Sequence, residues 1–232
     1  MEAIILAGGL GTRLRTVVPD LPKPMAPIRG RPFLEHQMDY WIGQGVTRFI
    51  LSVGYKRELI EAHFGAAYRQ CPVVYAREDE PLGTGGGLLL GLAEAQTESV
   101  LVLNGDTFFE VMLETMHAQH AARHSQVTVA LCRVPHNERY GEVVLNAQSA
   151  IEAFSAKPSG SEGIINGGVY MMQRDALLGL GWKPGDKVAL EQDLFPVLLD
   201  RKLKMFGMEC TGAFIDIGVP EDYQRAASIL PN

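Results

Sequence analysis

The sequence predicts an α/β protein, an open and mostly parallel sheet flanked by helices, with a smaller second lobe. Three observations lead there. Short continuous apolar runs recur and end at glycines or turn residues, as in parallel strands buried on both faces. Segments with helical apolar spacing lie between those runs, so successive strands are joined by crossovers that lay helices on the sheet. After Arg123 the alternation gives way to strands with little helix between them.

Each element follows from its residues. Segments 2–6 (EAIIL), 48–53 (RFILSV), 73–76 and 99–103 (SVLVL) read as buried strands. Segment 32–44, with Phe33, Leu34, Met38, Trp41 and Ile42 on helical spacing, reads as a crossover helix, as do 56–64 and 86–95. In the second half, 126–134, 142–145 and 164–172 read as strands of a smaller sheet or insertion that closes over the first half. Segment 191–199 reads as a helix, 205–208 and 213–217 as strands, and 220–229 as a closing helix with Pro220 in its first turn. No Pro/Gly/Ser-rich linker divides the chain, so 1–232 is expected to be one domain with lobes at 1–125 and 126–232.

The composition agrees with a globular domain, at 47% hydrophobic and 21% charged over 232 residues. A chain of that length buries roughly 70% of its unfolded surface, which excludes intrinsic disorder and any need for a disulfide scaffold. With 21 Lys and Arg against 27 Asp and Glu, the net charge is −6, which argues against a partner as long and anionic as nucleic acid. The sum hides an asymmetry: residues 1–60 hold eight basic and five acidic side chains, whereas 61–120 hold two basic and nine acidic ones. A small anionic ligand is therefore expected near the N-terminal third. Cys71, Cys132 and Cys210 are odd in number and widely spaced, which points to a reducing compartment, the cytoplasm, and to no zinc site. No signal peptide and no membrane span are expected, because no apolar run is long enough.

The residues that carry chemistry stand at strand ends. Directly after the first strand comes Leu6-Ala7-Gly8-Gly9-Leu10-Gly11-Thr12-Arg13. Glycines there let successive N–H groups point at an anion, and Arg13 adds a guanidinium fork for phosphate oxygens. It is neither the dinucleotide fingerprint, since Leu14 stands three residues after Gly11, nor a Walker loop, since Gly11-Thr12-Arg13 replaces its ending. In Pro22-Lys23-Pro24 a lysine between two prolines is expected on a stiff extended segment, its ammonium presented to phosphate. Asn104-Gly105-Asp106 puts a carboxylate beyond the C-terminal end of a central strand, where open α/β sheets bind ligands. Asp216, in Phe214-Ile215-Asp216-Ile217-Gly218, repeats that arrangement, and two hard oxygen ligands near phosphates suit Mg²⁺.

With these elements in this order, nearly the whole chain resembles the sugar-1-phosphate nucleotidylyltransferases. The resemblance implies a Rossmann-like fold of the nucleotide-diphospho-sugar transferase type and transfer of a nucleotidyl group from a nucleoside triphosphate to a sugar 1-phosphate. It implies that Leu6, Ala7, Gly8, Gly9, Gly11, Thr12, Arg13 and Lys23 hold the nucleotide with Gly105, Asp106 and the Gly83-Thr84 of Pro81-Leu82-Gly83-Thr84. It implies Mg²⁺ on Asp106 and Asp216. On the sugar side it implies Tyr140-Gly141, Lys157, Asn166-Gly167, Glu191 and Asp193, so that Arg13, Lys23, Asp106, Lys157 and Asp216 carry the catalysis. One departure stands out: the family usually has Glu-Lys-Pro where this chain has Ala156-Lys157-Pro158.

Within the family, segments 13–25 (RLRTVVPDLPKPM), 51–56 (LSVGYK) and 80–86 (EPLGTGG) look most like the branch that guanylylates D-glycero-α-D-manno-heptose 1-phosphate for bacterial surface polysaccharides. Mannose 1-phosphate with GTP, glucose 1-phosphate with UTP or dTTP, and a non-catalytic sugar-nucleotide regulator are the alternatives. Apolar strands in the second half would suit a homodimer. His117, His120 and His124 are expected on one polar helix face without a metal, Trp41 in the core or an oligomer contact, and Glu78-Asp79-Glu80 in a solvated loop from which one carboxylate could reach a base or ribose.

Overall fold

Strands that are apolar at every position, rather than at alternate ones, need cover on both faces, and that requirement sets the layering. The computed structural model describes residues 1–135, 137–155 and 160–231. The chain runs β1 (Glu2–Leu6), 3₁₀ turns Leu14–Thr16 and Lys23–Met25, a short ribbon of β2 (Pro27–Ile28) and β3 (Arg31–Pro32), α1 (Phe33–Gly43), β4 (Arg48–Val53) and α2 (Arg57–Phe64). Next come β5 (Ala67–Tyr68), β6 (Cys71–Arg77), α3 (Gly83–Glu94), β7 (Ser99–Asn104), β8 (Thr107–Phe109) and α4 (Leu113–Ala122). The second half holds β9 (Val127–Val134), β10 (Glu142–Leu145), β11 (Ile151–Ser155), β12 (Gly163–Gln173), α5 (Arg174–Leu178) and a π-helical turn, Leu190–Leu194, that runs into α6 (Phe195–Asp200). It closes with β13 (Met205–Cys210), β14 (Phe214–Asp216) and α7 (Pro220–Ile229).

β7, β1, β4 and β6 lie side by side in that order and parallel. β12 adds antiparallel to β7, with Val169 opposite Leu103, and carries β10 and β11 beyond it. β9 also pairs with β12, and β13 with β9. Strands β9 to β13 therefore extend the first sheet instead of building a separate one. In β1, Ile4 faces a core cluster with Leu88, Leu92 and Val102, whereas Ile5 faces another with Leu34, Met38 and Trp41, all buried. Each such side chain contributes about 2 kcal/mol of burial. A third cluster joins Leu14, Val18, Phe33, Phe108, Ile215 and Ile217, and so ties the segment after β1 to the ribbon of β8 and β14.

Differences from the expected elements have local causes. α3 starts at Gly83, three residues earlier than its apolar periodicity shows, because Gly85, Gly86 and Gly87 are helical yet carry no side chain. The expected helix 191–199 divides into the π turn and α6 at Phe195-Pro196. Lys23 opens a 3₁₀ turn; only Pro22 before it is extended. Of the three histidines, His117 and His124 are exposed, and His124 lies past the end of α4. His120 is buried and bonded to the Thr128 hydroxyl at 2.8 Å, and burial pushes its imidazole down to about 4, so it is a neutral core group. Trp41 is buried in the core, as expected.

One charge is buried on purpose at the start of β1. The Glu2 carboxylate accepts hydrogen bonds from the amides of Gln96 and Thr97, both at 2.7 Å, and from the Thr97 hydroxyl, and it pairs with Arg48. Burial alone would raise its pKa, but these bonds outweigh burial and hold the carboxyl below its ordinary 4.5. A depressed carboxylate stabilises the fold above its unfolded pKa, and the contribution fades as pH falls through the folded value. Glu2→Gln is expected to lose about 2 kcal/mol in urea unfolding at pH 7, and the gap to the wild type should narrow below pH 4.5. An equal gap at both pH values would contradict this account.

Candidate active site

The parallel strands β1 and β7 end together, and their ends form the floor of the site. Beyond Leu6 the chain enters the glycine loop; beyond Asn104 it turns through Gly105, whose amide donates to the Leu6 carbonyl at 3.0 Å. A Cβ on Gly105 would stand 2.6 Å from that carbonyl oxygen, so only glycine lets the two chains approach so closely. That approach brings Asp106 beneath the loop. Gln37 of α1 secures the turn by donating to the Asn104 and Thr107 carbonyls, both at 2.8 Å. Asp216 arrives by β14, registered opposite Thr107, and the Ile217 amide donates to the Asp106 carbonyl.

Lys23 joins the two aspartates. Its Nζ lies 2.5 Å from Asp106 Oδ2 and 3.5 Å from Asp216 Oδ1, with the Lys23 side chain only 10% exposed. Burial first, and the Asp106 charge second, hold the Asp216 carboxyl above its ordinary 3.8, while Lys23 works against both. Leu6, Ala7, Gly9, Gly11, Thr12, Arg13, Lys23, Gly105 and Asp106 all line one hollow here, together with Pro24 and Gly218. Arg13 is exposed at its mouth. Nine of the twelve nucleotide-side expectations thus line one hollow, and Gly8, Gly83 and Thr84 line the one beside it.

An adjoining hollow shares Leu6, Gly9 and Asp106 with the first and is walled by Gly8, Leu10, Pro81, Gly83 and Thr84. Its acidic wall is Glu78, at the end of β6. The Glu78 carboxylate accepts from the Ser52 hydroxyl and the Leu82 amide, both at 3.1 Å, which fixes its orientation. Gly83 has φ +76, and a Cβ there would meet the Val188 carbonyl at 2.6 Å, so segment 186–190 closes against the start of α3. Glu78 was only one of three carboxylates in a loop by sequence; nothing in Glu78-Asp79-Glu80 told which would turn inward.

On the other side, Tyr140, Gly141, Asn166 and Glu191 line a third hollow. Asn166 reaches it because β12 shifts register between Asn166 and Tyr170, a bulge that re-aims the side chain. Its Nδ2 donates to Glu191 Oε1 at 2.6 Å and to the Tyr170 hydroxyl at 2.7 Å. Burial, then the charge of Asp216, hold the Tyr140 hydroxyl above its ordinary pKa, so this hollow adjoins the aspartates electrostatically. Arg139, unrecognised in the sequence, also lines it and bonds the Tyr140 hydroxyl and Asp222 of α7, both at 2.5 Å. Two expected sugar-side residues point elsewhere. Gly167 packs its backbone against the Phe109 ring, and Asp193 accepts the Ala189 amide at 2.7 Å as a local cap of the π turn. Ala156 and Lys157 lie outside the described residues. Among the described residues, no group of three or more His, Cys, Asp or Glu could hold a metal, and no helix is long and apolar enough to cross a membrane.

Comparison with known proteins agrees with this geometry. The nucleotidyl transferase family profile matches residues 2–232. The chain is 44% identical to the D-glycero-α-D-manno-heptose 1-phosphate guanylyltransferase of Aneurinibacillus thermoaerophilus over 99% of its own length and 98% of that protein's. It is 40% identical to the protein of the same name from Campylobacter jejuni, over 96% and 97%. Among solved structures, HddC from Yersinia pseudotuberculosis matches with a TM-score of 0.87 at 33% identity, over 98% of each chain, and its complex with GMP-PN with 0.85.

The close contact at Gly105 makes a test. Gly105→Ala must push Leu6 and the turn apart, since both partners are backbone. Urea unfolding should show a loss of about 1–3 kcal/mol, and a crystal structure of the variant should show Asp106 displaced from Lys23. An unshifted Asp106 with unchanged stability would refute the contact.

Proposed function

Because the chain belongs to the nucleotidyl transferase family, we propose that it transfers the guanylyl group of GTP to D-glycero-α-D-manno-heptose 1-phosphate, releasing pyrophosphate and giving a GDP-heptose. The convergence of Lys23, Asp106 and Asp216 beneath the glycine loop carries the transfer chemistry. The near-full-length identity to two heptose 1-phosphate guanylyltransferases supports the choice of substrates. We place the reaction in the cytoplasm, where it would serve surface polysaccharide synthesis.

The nucleophile is a phosphate oxygen of the sugar 1-phosphate, already anionic at neutral pH, so no general base is required. It attacks the α-phosphorus of GTP; a new P–O bond forms, the bond from the α-phosphorus to the α–β bridging oxygen breaks, and pyrophosphate leaves with that electron pair. Two polyanions must meet, and catalysis consists of positioning and charge neutralisation. In this reading the loop amides, Arg13 and Lys23 hold the triphosphate, and Lys157 the sugar phosphate. Asp106 and Asp216 fit a divalent cation: both are hard oxygen donors, and both already reach one positive charge, the Lys23 ammonium. We assign them Mg²⁺, which when bound supplies further neutralisation of the phosphates.

Glu78 supports guanine as the base. A carboxylate only accepts, and the guanine edge offers two adjacent donors, N1–H and the N2 amino group. Uracil and thymine offer a single donor, N3–H, flanked by two carbonyl oxygens that a carboxylate repels. The alternatives with UTP or dTTP are disfavoured on that ground.

Two experiments test the reading. Asp106→Asn and Asp216→Asn should each slow turnover roughly 10²- to 10³-fold at limiting Mg²⁺; wild-type rates in both would sink the metal assignment. In a pyrophosphate-release assay over GTP, ATP, UTP and dTTP, Glu78→Gln should cut kcat/KM for GTP roughly tenfold or more and leave the pyrimidine nucleotides little changed. Equal losses for all four would remove Glu78 from base selection.

A further inference from the structure

One three-residue segment, Gly54-Tyr55-Lys56 at the end of β4, touches the stretch after β1 at its beginning, middle and end. The Tyr55 amide donates to the Gly8 carbonyl at 3.4 Å, and Gly54 packs against the same carbonyl. The Arg15 guanidinium lies over the Tyr55 ring, 4.3 Å from its centroid. Lys56 Nζ donates to the Asp20 carbonyl at 2.7 Å.

Two oddities of the structure fit this arrangement. Lys56 has φ +52, a left-handed backbone that a residue with a side chain adopts only when its surroundings impose it. Arg15 Nε is buried with no hydrogen-bond partner, as expected where a guanidinium engages a ring through its face rather than its edge. The stretch from Gly8 to Asp20 has no strand partner. Its other anchors are Glu78 packed on Gly8, Lys23 packed on Gly11, and Leu14 and Val18, buried in the third core cluster.

We propose that Tyr55 is a positioning residue: its ring latches Arg15 and so holds the glycine loop in the shape that receives the triphosphate. The inference rests on the reading of that loop as the triphosphate site. Tyr55 acts through Arg15 and touches no reacting atom. A loop already ordered has less entropy to lose when nucleotide binds, so the latch lowers KM for GTP and leaves kcat alone.

The test uses the full chain with Tyr55→Leu, Tyr55→Phe, Arg15→Leu and the Tyr55→Leu/Arg15→Leu pair. In the ligand-free protein, hydrogen–deuterium exchange of amides 9–13 should speed up in Tyr55→Leu and stay at the wild-type rate in Tyr55→Phe, which keeps the ring face. KM for GTP should rise three- to tenfold in Tyr55→Leu, with kcat and the KM for sugar 1-phosphate within twofold. The double variant should lose no more than Arg15→Leu alone, because one contact is removed either way. Unchanged exchange in Tyr55→Leu, equal damage from Phe and Leu, or additive losses in the pair would each overturn the latch. Faster exchange with an unchanged KM for GTP would keep the latch and overturn the triphosphate reading of the loop.

Discussion

Two carboxylates that meet at one ammonium are the constraint on which the candidate site depends. Asp106 and Asp216 carry like charges, and their approach is opposed by burial as well as by repulsion, as the raised Asp216 carboxyl records. Lys23 offsets both from 2.5 and 3.5 Å. Each partner is delivered by a different device. Gly105 lets β7 turn under β1, the β8–β14 ribbon registers Asp216 opposite Thr107, and a 3₁₀ turn after Pro22 brings up Lys23. Ile215, Ile217 and Phe108 then bury the ribbon against Leu14 and Phe33, so the apolar cluster that stabilises this corner also sets the charges in place.

The sheet changes character at the β7–β12 junction, and the site straddles that change. On the parallel side, strand ends open toward solvent with the glycine loop above them, the usual place for a ligand in an open α/β sheet. On the antiparallel side no such row of strand ends exists. There the bulge in β12 turns Asn166 out of the ladder toward Glu191 and Tyr140. The charge of Asp216 reaches the Tyr140 hydroxyl of the hollow on the antiparallel side. An arrangement of that kind suits a reaction in which two anionic molecules must be brought together and held.

Motifs made of neighbours in the chain were legible in the sequence. The glycine loop, Gly105-Asp106 and the strand-end Asp216 all read correctly as to place, because an apolar run that stops at glycine tells where a strand ends. Elements of two or three residues, such as β5 and β8, carry too little periodicity to be read. Lys23 was expected on an extended segment because prolines flank it, yet Pro24 is tolerated in the first turn of a 3₁₀ helix and the backbone tightens there. Asp193 shared its composition with the acidic residues of a site, but one oxygen of its carboxylate accepts the Ala189 amide at the start of the π turn. Which carboxylate of Glu78-Asp79-Glu80 turns inward could not be read, and Arg139 gave no signal at all, since an acidic or basic residue in a loop looks the same whether it turns inward or outward.

The amino-acid order alone determined that the apolar runs of the first half are strands, that they run parallel, and that phosphate-binding chemistry follows the first. Those properties are local: apolar runs, glycine spacing and the hand of the crossover connection hold whatever else the chain does. The tertiary structure alone decided that β9 to β13 join the same sheet, that Lys23 lies between Asp106 and Asp216, and that Tyr55 reaches Arg15. Each of these depends on strand register and backbone direction across long stretches of chain. A one-residue shift in β12 or β14 would leave the composition and nearly every local pattern intact, yet turn the side chains that matter to the opposite face.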